Sequence, residues 1–415
     1  MNDLIWASII VGGALVLALV GYLIFKKEPE ENGDQPEPPS PPEPPPIKKL
    51  AKKYRVPEIQ SKLMRPIYLE TLFIPEILWS NRIRESTIIE LMDMIAETGI
   101  GNTLRGFLFS NCWSEEYCDW NKDPFNKNAD GLFELPKPWN ADVLMGRFIN
   151  PVWKDMVIWV IKEAVKRKIT FHLSLLDNCG LKRRADKGAW ESHYLNPKNN
   201  NVNVSPENFD VYNYPNNPID PKAQNTGKIW EAMARYMIEK IWNALSGEER
   251  NYLIFEAINE GHAGITWHMI MSQLIDDAVG QPVPMTKKTT SSEKWQYGIK
   301  YPPAVRDKFI YVIHHVGTPK QYKKLVPSNF KCGCSADGYR APNHQTMNND
   351  QMKEITKFLM EDGNYLIEFL HGHRNNWKRL PGAPENTTLD KKWYDYKYLS
   401  FASMSGAREA IDEYL

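Results

Sequence analysis

From Arg55 onward, short runs of β-branched and aromatic residues alternate with longer stretches that carry apolar residues at three- and four-residue spacing. The first pattern is typical of buried strands and the second of amphipathic helices, so the alternation predicts parallel β–α–β units. The predicted strands are residues 66–73, 102–109, 169–176, 252–258, 283–287, 309–313, 365–369 and 399–403. The predicted helices are residues 86–97, 152–166, 228–245, 267–279 and 349–361. Eight strands within roughly 350 residues favour a closed (β/α)8 TIM barrel over an open sheet, because such barrels need about 250 residues before insertions.

Two long polar stretches, residues 111–150 and 177–225, follow the second and third predicted strands. Loops that follow the strands of such a barrel lie at its C-terminal face, where barrel enzymes keep their active sites. We therefore expect the two stretches to form a lid over that face. Several Trp residues lie in them, and both stacking on a flat ligand and packing within the lid are open roles for these rings.

The N-terminal segment differs from the rest of the chain, because residues 4–25 carry no charge. At 1.5 Å per residue this segment would form a helix of roughly 33 Å, which is enough to cross a bilayer. We interpret residues 1–27 as a single-pass transmembrane anchor. A cleavable signal peptide is the alternative, but Met1-Asn2-Asp3 lacks the basic residue that such peptides carry.

Residues 28–50 are rich in Pro and Glu, and half of the positions from Pro29 to Pro46 are proline. Such a composition cannot build a core and predicts a stiff, extended linker, which could serve as a spacer or only as a solubilising segment. Residues 51–415 then form the barrel domain.

The charge balance and the cysteines exclude some partners and sites. Lys plus Arg and Asp plus Glu number 51 each, so no net field favours a nucleic acid. The five cysteines are too few and too scattered for a disulfide framework. Cys332-Gly-Cys334 with His344 lacks the second ligand pair that a structural zinc site needs, and the role of the two cysteines stays open.

Two glutamates end predicted strands. Asn259 and Glu260 close the fourth strand, and Glu368 closes the seventh, which lies nearly opposite in an eight-stranded barrel. Hydrolysis of a glycosidic bond with retention needs a general acid and a carboxylate nucleophile about 5–5.5 Å apart, and two such glutamates meet that need. The alternative is that each Glu is a solvated or ion-paired group that happens to end a strand. Glu256 lies on the same strand face as Glu260, and we expect it deeper in the barrel in an ion pair or hydrogen bonds.

These residues resemble clan A of the glycoside hydrolases, particularly the cellulase-like and mannanase-like members of family 5. The resemblance covers roughly residue 65 to the C-terminus and rests on Asn259-Glu260, on Glu368 and on the segment Gly101–Arg105. It implies that Glu260 is the general acid/base and Glu368 the nucleophile. Arg105 would hydrogen-bond Glu368, and Asn259 would bind the sugar 2-hydroxyl. His314 or His315 would be the pocket histidine that this family has at the end of its sixth strand.

The sequence departs from the family pattern at three places. Gly261 replaces the usual Pro after Asn-Glu, the third strand ends in Asp177-Asn178 instead of Asp-x-His, and the eighth strand lacks the usual Trp. A loop residue such as Trp377 is the candidate substitute for that sugar platform. Asp177 and Asn178 have two open roles, contact with sugar and simple capping of the loop.

The mechanism that the resemblance implies needs no metal and no organic cofactor. Glu260 is expected to be protonated at rest, while Arg105 keeps Glu368 ionised; Glu260 then acts as a base toward water after glycosyl transfer to Glu368. The expected substrate is a polysaccharide or oligosaccharide, with β-mannan, β-glucan, xylan and smaller glycosides all compatible. We expect a monomer.

Two other functions stay open. The pair His371 and His373 resembles the metal pair of barrel amidohydrolases, although that pair closes the first strand there, and lining of the sugar cleft is the alternative role. A barrel that binds carbohydrate without cleaving it is the second alternative.

The side of the membrane on which the barrel lies follows from two opposing arguments. Lys26 and Lys27 follow the anchor directly, so the positive-inside rule would keep the barrel in the cytoplasm. A polysaccharide substrate requires the opposite side, and on that ground we expect an extracytoplasmic domain.

Overall fold

Ten strands are present among the residues that the structure describes, and eight of them build one barrel. The barrel strands are β1 (Tyr68–Phe73), β2 (Thr103–Phe107), β3 (Thr170–Asp177), β4 (Leu253–Asn259), β5 (Met285–Lys288), β6 (Phe309–His314), β7 (Cys332–Ser335) and β8 (Leu366–Glu368). Neighbours in sequence pair in parallel, and β1 also pairs in parallel with β8, which closes the barrel. The predicted closed barrel of eight parallel strands is therefore present.

The helices are α1 (Ala141–Phe148), α2 (Pro151–Lys166), α3 (Gln224–Ala244), α4 (Ile265–Val279) and α5 (Asn349–Glu361). Short 3-10 turns lie at Pro138–Asn140, Pro197–Asn199 and Glu249–Tyr252. The two remaining strands, β9 (Trp377–Arg379) and β10 (Leu399–Phe401), form a separate antiparallel pair.

The structure is a computed structural model, and it describes most of the barrel but only part of its loops. The described residues are 68–73, 78, 85, 88–89, 92–93, 96, 102–109, 123–177, 193–202, 224–259, 265–288, 308–314, 332–335, 349–361, 366–368, 377–379, 399–401, 409 and 413. All of them belong to the compact unit Leu50–Leu415. In these ranges no helix is long and apolar enough to span a bilayer. The predicted anchor and linker lie outside the described residues.

The prediction is wrong about the last two strands of the barrel. The seventh strand is Cys332–Ser335, so Leu366–Glu368 is the eighth, and Leu399–Phe401 pairs with Trp377–Arg379 outside the barrel. The sequence Cys-Gly-Cys-Ser lacks the run of β-branched and aromatic residues that marks most strands, and here backbone pairing with β6 and β8 makes the strand. The apolar run at Leu399 indicates a strand, but it does not indicate which other strand pairs with it.

Helix α2 illustrates how the outer layer packs on the barrel. Asn150 caps the helix by accepting a hydrogen bond from the Val152 N–H at 3.0 Å, and Pro151 occupies the first turn, where its missing N–H costs nothing. The buried residues recur at three- and four-residue spacing along one face and belong to one large core with residues of β2, β3 and β4. These buried residues are Trp153, Met156, Val157, Val160, Ile161, Ala164 and Val165.

The loops after β2 and β3 are joined to each other. The Phe133 N–H donates to the Asn199 carbonyl at 2.7 Å, and the Asn201 N–H donates back to the Phe133 carbonyl at 3.1 Å. The ring of Tyr194 packs against Phe125 and Phe133, with ring centroids 5.1 and 6.0 Å away. The described parts of the two predicted lid segments therefore form one packed body.

The Tyr194 hydroxyl attaches this body to the barrel. It donates to the Phe109 carbonyl at 3.1 Å, and the Phe109 N–H in turn donates to the Leu175 carbonyl at 3.0 Å. Phe109 lies just beyond the end of β2, so the joined loops are fixed at the C-terminal end of the barrel. This placement agrees with the predicted lid position.

His193, beside Tyr194, is buried as a neutral ring inside the joined loops. Its Nδ1 accepts a hydrogen bond from the Leu195 N–H at 3.1 Å, and its carbonyl accepts one from the Asn199 side chain at 3.0 Å. Burial lowers the pKa of His193 to about 3, although a hydrogen bond with the Phe109 backbone acts in the opposite direction. The ring is therefore uncharged in the folded chain and lacks the second proton of an imidazolium.

This pKa predicts that acid loosens the joined loops. Below the ordinary His pKa of 6.5 the unfolded chain binds a proton that the folded chain excludes, so the free energy of unfolding should fall by about 1.4 kcal/mol per pH unit until pH 3. His193→Asn keeps an acceptor for the Leu195 N–H but does not titrate. Urea unfolding at pH 7, 6 and 5 should show the parent losing stability faster than this variant, and equal slopes would contradict the assignment.

Candidate active site

The interior of the barrel is polar on one side. On β4, Leu253, Phe255 and Ala257 pack in the core shared with the helices, whereas Ile254 packs in a separate cluster with Ile310 and Val312 of β6. Because side chains alternate along a strand, the face of Ile254 and Glu256 is the one turned into the barrel. Glu256 lies between Ser174 of β3 and Thr286 of β5 in the strand register. Six polar side chains of strands β2 to β5 are at most 1% exposed: Thr103, Arg105, His172, Ser174, Glu256 and Thr286.

Arg105 is the centre of this polar layer. Its Nη2 forms an ion pair with Glu256 Oε2 and donates a second hydrogen bond to Asn259 Oδ1 at 2.9 Å. The guanidinium also lies over the Phe107 ring, 5.2 Å from its centroid. The expectation that Glu256 makes an ion pair deep in the barrel is confirmed.

The contact with Arg105 fixes the orientation of the Asn259 amide. A guanidinium only donates hydrogen bonds, so the amide oxygen must face Arg105 and the amide nitrogen must face away from it. Asn259 is 3% exposed and ends β4. The side chain therefore carries its hydrogen-bond donor on the side away from the guanidinium.

A second polar contact lies next to the first. His172 Nε2 and Thr286 Oγ1 are 2.7 Å apart in a buried hydrogen bond between β3 and β5. His172 also neighbours Arg105 in the register of β2 and β3. His172, Ser174 and Thr286 are functional candidates that the strand pattern alone does not single out. The alternation of polar His172 and Ser174 with apolar Leu173 and Leu175 along β3 was the available signal.

The residues predicted for the site fall into three groups. Four of them end barrel strands: Asp177 on β3, Asn259 on β4, His314 on β6 and Glu368 on β8. Arg105 lies within β2 and Trp377 begins β9, outside the barrel. Glu260, Asn178, His315 and His371 lie outside the described residues, and the predicted contact of Arg105 with Glu368 stays a prediction.

The strand ends that carry these residues lie at one rim, because all eight barrel strands run in parallel. Asp177 is the register neighbour of Asn259, and Glu368 is flanked by Glu70 and Ser335. Since Glu368 ends the eighth strand rather than the seventh, it is four strands away from β4 in a ring of eight. The ends of β4 and β8 therefore lie opposite each other across the mouth.

The metal alternative gains no support from the part of the chain that the structure describes. No three His, Cys, Asp or Glu side chains among the described residues are close enough together to hold a metal ion. The side chains of Cys332 and Cys334 and both residues of the pair His371 and His373 lie outside that description.

The buried ion pair predicts that loss of one partner lowers stability strongly and that loss of both partners lowers it much less. Arg105→Met leaves Glu256 as an uncompensated buried charge, which should lower the free energy of unfolding by about 3–5 kcal/mol. Adding Glu256→Leu removes that charge and should restore most of the loss. Urea unfolding of both variants and the parent measures this.

Arg167→Met is the matched control, because its ion pairs with Asp93 and Glu163 are partly exposed and should contribute only about 1 kcal/mol. A double variant less stable than Arg105→Met would contradict the interpretation of an isolated buried pair.

Comparison with known proteins gives matches only at the level of solved structures. No family model and no curated protein matches the sequence. A tri-modular family 5 (subfamily 4) endo-β-1,4-glucanase from Bacillus licheniformis is 10% identical over 84% of this chain and 61% of its own, with a TM-score of 0.43. This chain thus spans 61% of the length of that protein.

Two further matches cover most of the length of the matched proteins. A glycoside hydrolase family 5 enzyme from Prevotella bryantii B14 is 11% identical over 87% of this chain and 99% of its own, with a TM-score of 0.43. A Bacteroidetes-affiliated family 5 cellulase linked with a polysaccharide utilization locus is 12% identical over 86% and 93%, with a TM-score of 0.48. All three solved structures are family 5 glycoside hydrolases, and the barrel of this chain is established by its own strand pairing.

Proposed function

We propose that this chain is a retaining glycoside hydrolase that cleaves β-linked glycosidic bonds of a polysaccharide or oligosaccharide. Glu260 is the general acid/base and Glu368 is the nucleophile. The observation that carries the proposal is the position of the two strand ends: Asn259, directly before Glu260, and Glu368 close strands on opposite sides of one parallel barrel.

The proposed reaction has two steps. In the first step a carboxylate oxygen of Glu368 attacks the anomeric carbon while Glu260 gives its proton to the leaving oxygen, and a glycosyl-enzyme ester forms. In the second step Glu260 takes a proton from water, the water oxygen attacks the anomeric carbon, and the Glu368 carboxylate leaves. Two inversions at one carbon give retention of configuration.

The surroundings of Asn259 suit this chemistry. A buried guanidinium beneath the rim, with its charge balanced by Glu256, supplies oriented donors in a site where water does not compete. Donors already in place at the start of the reaction cost no reorganisation when negative charge develops. Asn259 and Arg105 are therefore assigned to substrate binding and orientation.

The remaining assignments of the sequence analysis are part of the same proposal. Residues 4–25 anchor the chain in a membrane, residues 28–50 space the barrel from it, and the barrel acts outside the cytoplasm as a monomer. A soluble fragment beginning near residue 51 separates the question of activity from that of the anchor.

The catalytic pair is tested with a panel of β-1,4-glucan, β-mannan and xylan. Glu368→Ala should abolish turnover while binding of the glycan persists, because the pocket loses its nucleophile and little else. Glu260→Ala should lower kcat by about 10²- to 10⁴-fold on a glycan, the usual contribution of an acid/base group. The loss should shrink on an aryl glycoside, whose leaving group needs little protonation.

Glu354→Ala, an exposed carboxylate on α5, is the control and should retain the parent rate. Proton NMR of the first product should show the β anomer. Inverted product, or Glu368→Ala protein that turns over glycan as fast as the parent, would reject the proposal and favour a barrel that only binds carbohydrate.

A further inference from the structure

The function of Glu256 does not follow from the catalytic pair, because this carboxylate is too deep to reach a substrate. It lies three residues before the end of β4, which at about 3.3 Å per residue places its backbone roughly 10 Å below the rim. Its side chain is 1% exposed. Glu256 can therefore act on the mouth of the barrel only through another residue.

Arg105 is that residue. A single nitrogen, Nη2, contacts both Glu256 and Asn259, so the position of the guanidinium is shared between the deep carboxylate and the amide at the rim. The planar guanidinium holds its donors at fixed angles, and the contact with Glu256 therefore sets the direction of the donor that reaches Asn259. The stack of Arg105 on Phe107 restrains the same plane.

Among the described side chains, Arg105 is the charged group with which Glu256 pairs. The neighbours of Glu256 in the register, Ser174 and Thr286, carry no charge. Ser174 donates instead to the Leu176 carbonyl at 3.1 Å. The Thr286 hydroxyl bonds His172. The described contacts of the Glu256 carboxylate are therefore those that hold Arg105 in place.

We propose that Glu256 is a positioning residue that holds Arg105 and, through it, turns the Asn259 amide so that its N–H donor faces the substrate beside Glu260. The inference rests on the proposed function, since it concerns the residue that precedes the acid/base. Loss of Glu256 frees the guanidinium to shift, which weakens its hydrogen bond to the Asn259 amide. Glu256 itself touches no substrate and takes no part in proton transfer.

A double-mutant cycle separates this role from a merely structural one. Glu256→Gln should lower kcat/KM about 10- to 100-fold on the glycan that the parent cleaves best. A small misplacement of an active-site group lowers the rate by about this factor. In the Asn259→Ala background the same change should lower kcat/KM less than about 3-fold, because the amide that Glu256 positions is gone. A purely structural effect would give the same fold loss in both backgrounds.

Two further variants complete the experiment. Ser174→Ala is the control, since it alters the neighbouring interior position without touching Arg105, and it should retain the parent kcat/KM. Arg105→Lys keeps the charge but cannot hold both partners with one planar group. It should lower kcat/KM at least as much as Glu256→Gln, and the part of the loss that acts through Asn259 should disappear in the Asn259→Ala background, which gives a result even where Glu256→Gln does not fold.

The outcomes separate the inference from the function on which it rests. An active parent with equal fold losses in both backgrounds, or folded Glu256→Gln protein with parental kcat/KM, would overturn the role of Glu256 alone. A parent that cleaves none of the three glycans would overturn the proposed function and the inference with it.

Discussion

The ion pair of Arg105 and Glu256 is the constraint on which the site depends. Removing two charges from water costs several kcal/mol per ion, and the interior of an eight-stranded barrel is usually filled with branched apolar side chains instead. This chain has such a filling near β6, where Ile310 and Val312 meet Ile254, but not on the side of β2 to β5. The polar side lies directly beneath Asn259. The barrel thus has charged and polar side chains in place of apolar packing beneath Asn259.

The sequence was a good guide where the signal was local. Apolar runs identified the first six barrel strands, and a polar residue following such a run identified Asn259 and Glu368 as strand ends. The same reasoning predicted Glu256 inside the barrel, because alternation along a strand requires no knowledge of neighbouring strands. Capping residues such as Asn150 and Pro151 are likewise legible in the sequence.

The parts that escaped sequence analysis depend on contacts between distant segments. β7 is made of Cys, Gly and Ser, and only its pairing with β6 and β8 makes it a strand. Arg105 Nη2 contacts Glu256, which lies 151 positions later in the sequence, and Asn259, which lies 154 positions later. No local pattern encodes contacts over such separations. The hydrogen bond of His172 with Thr286 links β3 to β5 in the same way, across the barrel interior.

The union of the loops after β2 and β3 limits how this barrel could be re-engineered. The Phe133 N–H donates to the Asn199 carbonyl, and the Phe133 carbonyl accepts from the Asn201 N–H. The Tyr194 ring packs on one loop and its hydroxyl donates to the barrel, so the described parts of the two loops hold each other in place. Grafting one of them from another barrel would leave the other without its backbone partners. Loop exchange in this barrel should therefore proceed in pairs, with both segments transferred together.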